Sequence, residues 1–319
     1  TIIMIAKLFK RFSLFSLSLS LSMLCLLSYM FSIPEINYFA FEDRIFNFSV
    51  IFVLTTFILN SLNRIFKYLK IENRSHYYLF LYPIILFSFP IEVFDIRVLA
   101  SCALFFSGWA SFREYIDLKN SISSKNTITK LLDSVLLVTF SCVLFYENIV
   151  LLLFIILGLA FSKKSINRQE LAIIVLVPVI ILFTCFQLLL AFNVDFLFSS
   201  LLSDYYFTFS NSYNISFVYS KIDLLIIVLL FIISVFIVFN KKSDYDSKTL
   251  DYDGVLYSGL ILLIIGFSTN SSSMLLYYLS LPFTYYINVL FSLYKKRFLA
   301  NFLIILLTIS FLLFNFAVN

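Results

Sequence analysis

Charge is scarce in this chain. Asp, Glu, Lys and Arg make up 13% of its 319 residues, against about 25% in a soluble domain. Histidine is nearly missing: His76 is the single one. That excludes a histidine-built metal site and a Ser-His-Asp triad within the chain. Cysteine occurs four times, at Cys25, Cys102, Cys142 and Cys185. Each lies inside an apolar run and none forms a CxxC pair, so they read as small buried hydrophobes. Glycine and proline occur five times each. Transporters often build sites from Gly- or Pro-interrupted helices in matching halves. Pro83, Pro178 and Pro282 fall in apolar runs but define no repeat. No Walker motif and no GxGxxG occurs, so no cofactor is expected.

Apolar residues fill the space. They make up 61% of the sequence, and the mean hydropathy is +1.00. A water-soluble fold cannot hide this much apolar surface, so the expected class is an all-α, polytopic transmembrane helix bundle. The runs are long and unbroken, without the alternation of barrel strands. Residues 1–319 read as one integral-membrane domain. The 41 Phe and 20 Tyr have two readings, a base-composition bias that also enriches Ile, Asn and Lys, or a specific aromatic site.

Eleven runs are candidate spans, with ten to twelve the range. They are Phe12–Ile33, Ile45–Leu62, His76–Pro90, Ile96–Phe112, Leu131–Tyr146, Ile149–Phe161, Leu171–Phe192, Leu224–Phe239, Val255–Phe267, Met274–Leu293 and Leu299–Phe316. Lys7, Lys10 and Arg11 precede the first, which reads as an uncleaved helix with a cytoplasmic N-terminus. If each run crosses once, 20 of the 23 basic residues fall on the cytoplasmic side. Only Arg44, Arg97 and Lys221 are left outside, as the positive-inside rule requires. The C-terminus then lies outside. The basic residues are spread over many short loops, so the net charge of +5 marks topology rather than nucleic-acid binding. The expected location is the bacterial inner membrane. The long outer segment Asn193–Ile222, rich in Phe and Tyr, suits the bilayer interface.

Several polar groups stand where charge is costly. Glu42, Asp43 and Arg44 sit at the outer end of the second span. They supply a general base and an anion contact, or they mark a helix boundary. Asp95 and Arg97 open the fourth span, with Glu92 just before. Arg97 can hold a phosphate or carboxylate through two parallel bonds, or pair locally with an acid. Glu147 occupies the Tyr146–Asn148 turn between two short runs, either in a cavity or in an exposed turn. Asp133, Gln187 and Asn288 lie within runs; interhelical hydrogen bonding accounts for the last two and a helix start for Asp133.

The Arg97–Gly158 block carries a resemblance. An Arg enters a helix, a basic loop follows, and the next helix ends in the polar turn Tyr146-Glu147-Asn148. This resembles EpsG/Wzy-type and GT-C-like envelope polysaccharide proteins. The segment KLLDSVLLVTFSCVLFYENIVLLLFIILG also resembles a family of multi-pass inner-membrane proteins from Bacteroidota. The resemblance covers about 65 residues. It implies a glycosyltransferase or polymerase acting on a lipid-linked glycan at the outer leaflet. Asp43 and Glu42 would be catalytic; Arg97, Asp95, Glu147 and Arg44 would bind substrate. The sequence departs from the pattern in two ways: the turn holds Tyr146-Glu147 rather than His, and the first outer loop is short. The alternatives are a non-catalytic membrane subunit of a secretion, motility or envelope complex, which would have membrane-protein partners, and a transporter or lipid flippase.

Overall fold

A computed structural model describes residues 13–30, 32, 44–67, 76–88, 96–120, 127–144, 148–160, 166–191, 222–240 and 276–293, with 302, 304–306 and 309. Its α-helices among these residues are α1 (Leu14–Met30), α2 (Arg44–Lys67), α3 (Tyr78–Phe87), α4 (Ile96–Asn120), α5 (Thr127–Leu144), α6 (Ile149–Ala160), α7 (Arg168–Ala191), α8 (Ile222–Asn240) and α9 (Ser280–Leu293). A 3-10 turn, Leu276–Leu279, leads into α9. No strand occurs among the described residues, so the all-α class holds there. Nine of the expected runs coincide with these helices. Val255–Phe267 lies outside the described residues, as does most of Leu299–Phe316.

Two helices are long and apolar enough to cross a bilayer, over Arg44–Phe66 and Arg168–Leu188; Leu14–Tyr29 and Ile226–Ile237 are shorter apolar helices. The charges at the helix ends extend α2 and α4 past the apolar runs, to Lys67 and Asn120.

The helices α3 and α9 are the buried centre. Tyr78–Leu86 and Leu281–Phe291 are apolar on every side and almost fully covered, the pattern of a helix surrounded by others. Pro83 lies inside α3. It has no N–H for the carbonyl four residues back, at Leu79. The Ser20 hydroxyl of α1 fills that place, donating to the Leu79 carbonyl at 2.6 Å.

The most extensive helix pair is α4 with α5. Small residues allow the approach. A Cβ placed on Gly108 would lie 2.8 Å from Val138 Cγ2 and 3.0 Å from the Ser134 carbonyl oxygen. Ser101 donates to the Ser141 carbonyl at 2.8 Å near one end of the pair, and Lys130 meets Glu114 near the other. The two helices are therefore antiparallel.

Contacts between distant residues sort the helix termini into two ends. At one end, Arg64 meets Glu114, Lys119 meets Glu170, and the Tyr78 N–H donates to Asn288 Oδ1 at 3.1 Å. This end gathers Arg64, Lys119, Lys130 and Arg168, and is called the basic end below. The first turn of α2 sits beside the last turn of α1, where Arg44 covers the Tyr29 ring. At the start of α4, Ser101 lies with Ser141, Asn148 and Tyr278. Because α2 and α4 join near their C-termini, their N-termini, with Arg44 and Arg97, are directed to the opposite end.

Candidate functional site

The densest set of interacting charges among the described residues lies at the basic end, between α2, α4 and α5. Glu114 is its hub. It accepts from Arg64 Nε at 3.0 Å through one oxygen and lies 2.9 Å from Lys130 Nζ through the other. Arg64 also donates from Nη2 to Ser111 Oγ at 3.1 Å. Burial by itself would push the Glu114 carboxyl up. The hydrogen bonds and charges of Arg64 and Lys130 outweigh that and hold it below its ordinary range.

These groups line one side of a cleft of about 620 Å³. Asp133 joins them, an exposed carboxylate on α5 one turn beyond Lys130. Leu136, Leu137 and Phe140 form an apolar wall along α5, and Ser107 lines the cleft from α4. The cleft thus has a polar mouth and an apolar flank.

A second ionic cluster ties α7 to α4. Lys119 Nζ lies 2.8 Å from Glu170 Oε2, and both side chains are more than nine-tenths buried. Tyr115 donates a short hydrogen bond to the other Glu170 oxygen. The backbone N–H of Asn167, just before α7, donates to Oε2 at 2.9 Å. Glu170 therefore caps its own helix start and anchors it to α4.

The third cluster is neutral and buried at the opposite end. Asn148 Nδ2 lies within hydrogen-bonding reach of Ser101 Oγ, the Ser141 carbonyl, Ser141 Oγ and Tyr278 OH. An amide nitrogen has two hydrogens, so it can serve two of the four. Tyr278 in turn donates to Ser101 Oγ at 3.0 Å. Asn148, whose Oδ1 is buried without a partner, pins the start of α6 against α4, α5 and the turn before α9.

Of the residues expected to form an outer site, Arg44 and Arg97 are described. Glu42, Asp43, Asp95 and Glu147 lie outside the described residues, as does Glu92. Arg44 is exposed at the first residue of α2, where a cation opposes the helix dipole. Its guanidinium carbon lies 4.5 Å from the Tyr29 ring centroid, and Nε donates to Ser32 Oγ at 3.4 Å. These contacts offset the dipole and hold the group. Arg97 is exposed at the second residue of α4. Asn148, the residue that follows Glu147 in the sequence, is buried.

The other expectations divide. Asn288 bonds between helices, as expected, but Gln187 is exposed on α7. Cys102 and Cys142 are buried, Cys185 is half-buried and Cys25 is exposed, because it lies on the outward side of α1. Among the described residues no group of three His, Cys, Asp or Glu side chains could hold a metal ion. Sequence reasoning missed Glu114 and Glu170 as hubs. Their only signal was an acid beside basic residues at a run's end; Arg64 lies 50 positions from Glu114 and Lys119 lies 51 from Glu170. In comparisons with known proteins, no family model, no curated protein and no solved structure matches the chain.

Proposed function

We propose that the chain is a multi-pass protein of a bacterial inner membrane, with the basic end in the cytoplasm, that acts on a lipid-linked glycan at the outer leaflet. Two apolar helices of spanning length support the membrane placement. The contacts that gather Arg64, Lys119 and Lys130 at one end agree with the charge bias of the loops. The eleven-span path and the outward C-terminus belong to the same proposal.

The observation that carries the catalytic reading is Arg44. It follows Glu42 and Asp43 directly, and Tyr29 and Ser32 hold its side chain at the end opposite the cytoplasmic cluster. In this reading Asp43 or Glu42 takes the proton of an acceptor hydroxyl. The hydroxyl oxygen forms the new glycosidic bond as the bond from sugar to pyrophosphate breaks. Arg97 and Arg44 stabilise the departing lipid pyrophosphate, while Asp95 and Glu147 position the glycan. The test is product formation by the Asp43→Asn and Arg97→Ala variants at unchanged protein level. Loss of product is expected; product formed by both would overturn the assignment.

A second reading, a non-catalytic membrane subunit, is favoured by α7. Leu171, Val175, Leu176, Val179, Ile180 and Phe183 are all exposed along it. Purification in mild detergent would then yield stoichiometric membrane-protein partners. A chain that purifies alone and still forms product would exclude this reading.

A further inference from the structure

We propose that the cleft between α2, α4 and α5 binds a membrane lipid whose headgroup carries a phosphate and a primary ammonium. The proposal concerns the basic end and does not depend on the outer site. It does depend on the membrane placement.

The charges of the lining decide the ligand class. Glu114 uses one oxygen on Arg64 and the other on Lys130, so its acceptors face cations already. Arg64 retains the Nη1 amino group, and Lys130 retains two ammonium hydrogens. Their side chains are 29% and 35% exposed, open enough to reach a ligand. Asp133 has no partner among the described residues and lies three positions from Lys130 on the same helix face. Two cations and two carboxylates leave the lining neutral. A simple anion would meet Asp133, and a simple cation would meet Arg64 and Lys130. A group with both charges satisfies both sets: phosphate oxygens on Arg64 and Lys130, ammonium hydrogens on Asp133. A quaternary ammonium has no hydrogen to donate, so a primary amine fits better.

The apolar flank indicates a lipid rather than a free zwitterion. Leu137 and Phe140 continue the cleft along α5 from Asp133, and Phe140 is 45% exposed. These residues lie inside the candidate span Leu131–Tyr146, so an acyl chain laid there would follow the apolar flank into the bilayer while its headgroup stays at the charged mouth. The volume of about 620 Å³ suits a headgroup and the first part of a chain.

The test exposes the purified full chain in detergent to phosphatidylethanolamine, phosphatidylcholine and phosphatidylglycerol with matched acyl chains, and measures retained lipid by native mass spectrometry. The ethanolamine lipid should be retained about threefold over the others, the scale of one partly exposed ion pair. Asp133→Asn should reduce it to the choline level, while Asp133→Glu should keep the preference. Because Asp133 is exposed, both variants should match the parent in unfolding midpoint. Excess glycerophosphoethanolamine, which lacks the chains, should not displace the lipid. Equal retention of the three lipids, preference for the glycerol lipid, or an unchanged preference in Asp133→Asn would each overturn the proposal. Displacement by the soluble headgroup would overturn its lipid source.

Discussion

Ser20 donates to the Leu79 carbonyl at 2.6 Å, taking the place of the amide hydrogen that Pro83 lacks. A break in one helix is thereby repaired by a side chain from another, 59 residues earlier in the chain. Proline inside an apolar helix is tolerated where a neighbour satisfies the freed carbonyl.

This pairing predicts a thermodynamic cycle. Ser20→Ala should destabilise the protein by about 1–3 kcal/mol, since it leaves a buried carbonyl unsatisfied. In a Pro83→Ala background the helix regains its own bond, and the same serine substitution should cost distinctly less. Unfolding midpoints of the four proteins in one detergent would show the coupling. Equal costs in both backgrounds would mean that the serine acts by packing alone.

The buried pair Lys119–Glu170 predicts an asymmetry. Glu170→Gln should cost about 3–5 kcal/mol, because it leaves the Lys119 ammonium without its counter-charge. It also weakens the acceptor for Tyr115. Replacing both residues by methionine should recover most of that loss, since an apolar pair carries no desolvation cost. Thermal unfolding followed by tryptophan fluorescence would separate the cases.

Gly108 predicts a steric limit. Gly108→Ala should destabilise by about 1–3 kcal/mol through overpacking, because its Cβ meets Val138 Cγ2 and the Ser134 carbonyl. Adding Val138→Ala should restore only part of the loss. A side chain can be shortened, whereas the carbonyl belongs to the α5 backbone. Full restoration would place the whole clash on the valine.

Glu114 predicts a pH dependence of stability. Its folded carboxyl titrates below the ordinary value of 4.5, so the unfolded chain takes up the proton first as pH falls. The stabilisation is therefore fully present above about 4.5 and is lost as pH drops through the folded value. The midpoint difference between the parent and Glu114→Gln should be largest near neutral pH and should shrink as pH falls through the lowered folded value. A difference independent of pH would show that the carboxylate charge is not what stabilises this corner.

Helix positions were readable because long apolar runs leave little choice of secondary structure. The gathering of Arg64, Lys119 and Lys130 at one end agrees with the charge bias read from the sequence. The pairings were not. Nothing in the spacing of Glu114 connects it to Arg64, 50 residues away, and Pro83 announces an orphan carbonyl without naming Ser20 as its partner. Asn148 looked like part of a turn, but three hydroxyls from separate elements surround it. Such partners arise only when helices assemble. Of the expected outer site, the described residues hold Arg44 and Arg97; Asp43, Glu42, Asp95 and Glu147 fall in the connections before α2, α4 and α6.

Gly108 lies about 10 Å along α4 from Ser101 and about 9 Å from Glu114, at 1.5 Å per residue. This tight contact thus divides the α4–α5 pair into two arms of nearly equal length. Rocking of α5 about that contact would part the polar cluster at one tip while pressing the ion pair at the other together, by similar amounts. A perturbation at either tip would then be felt at both, with no separate relay between them.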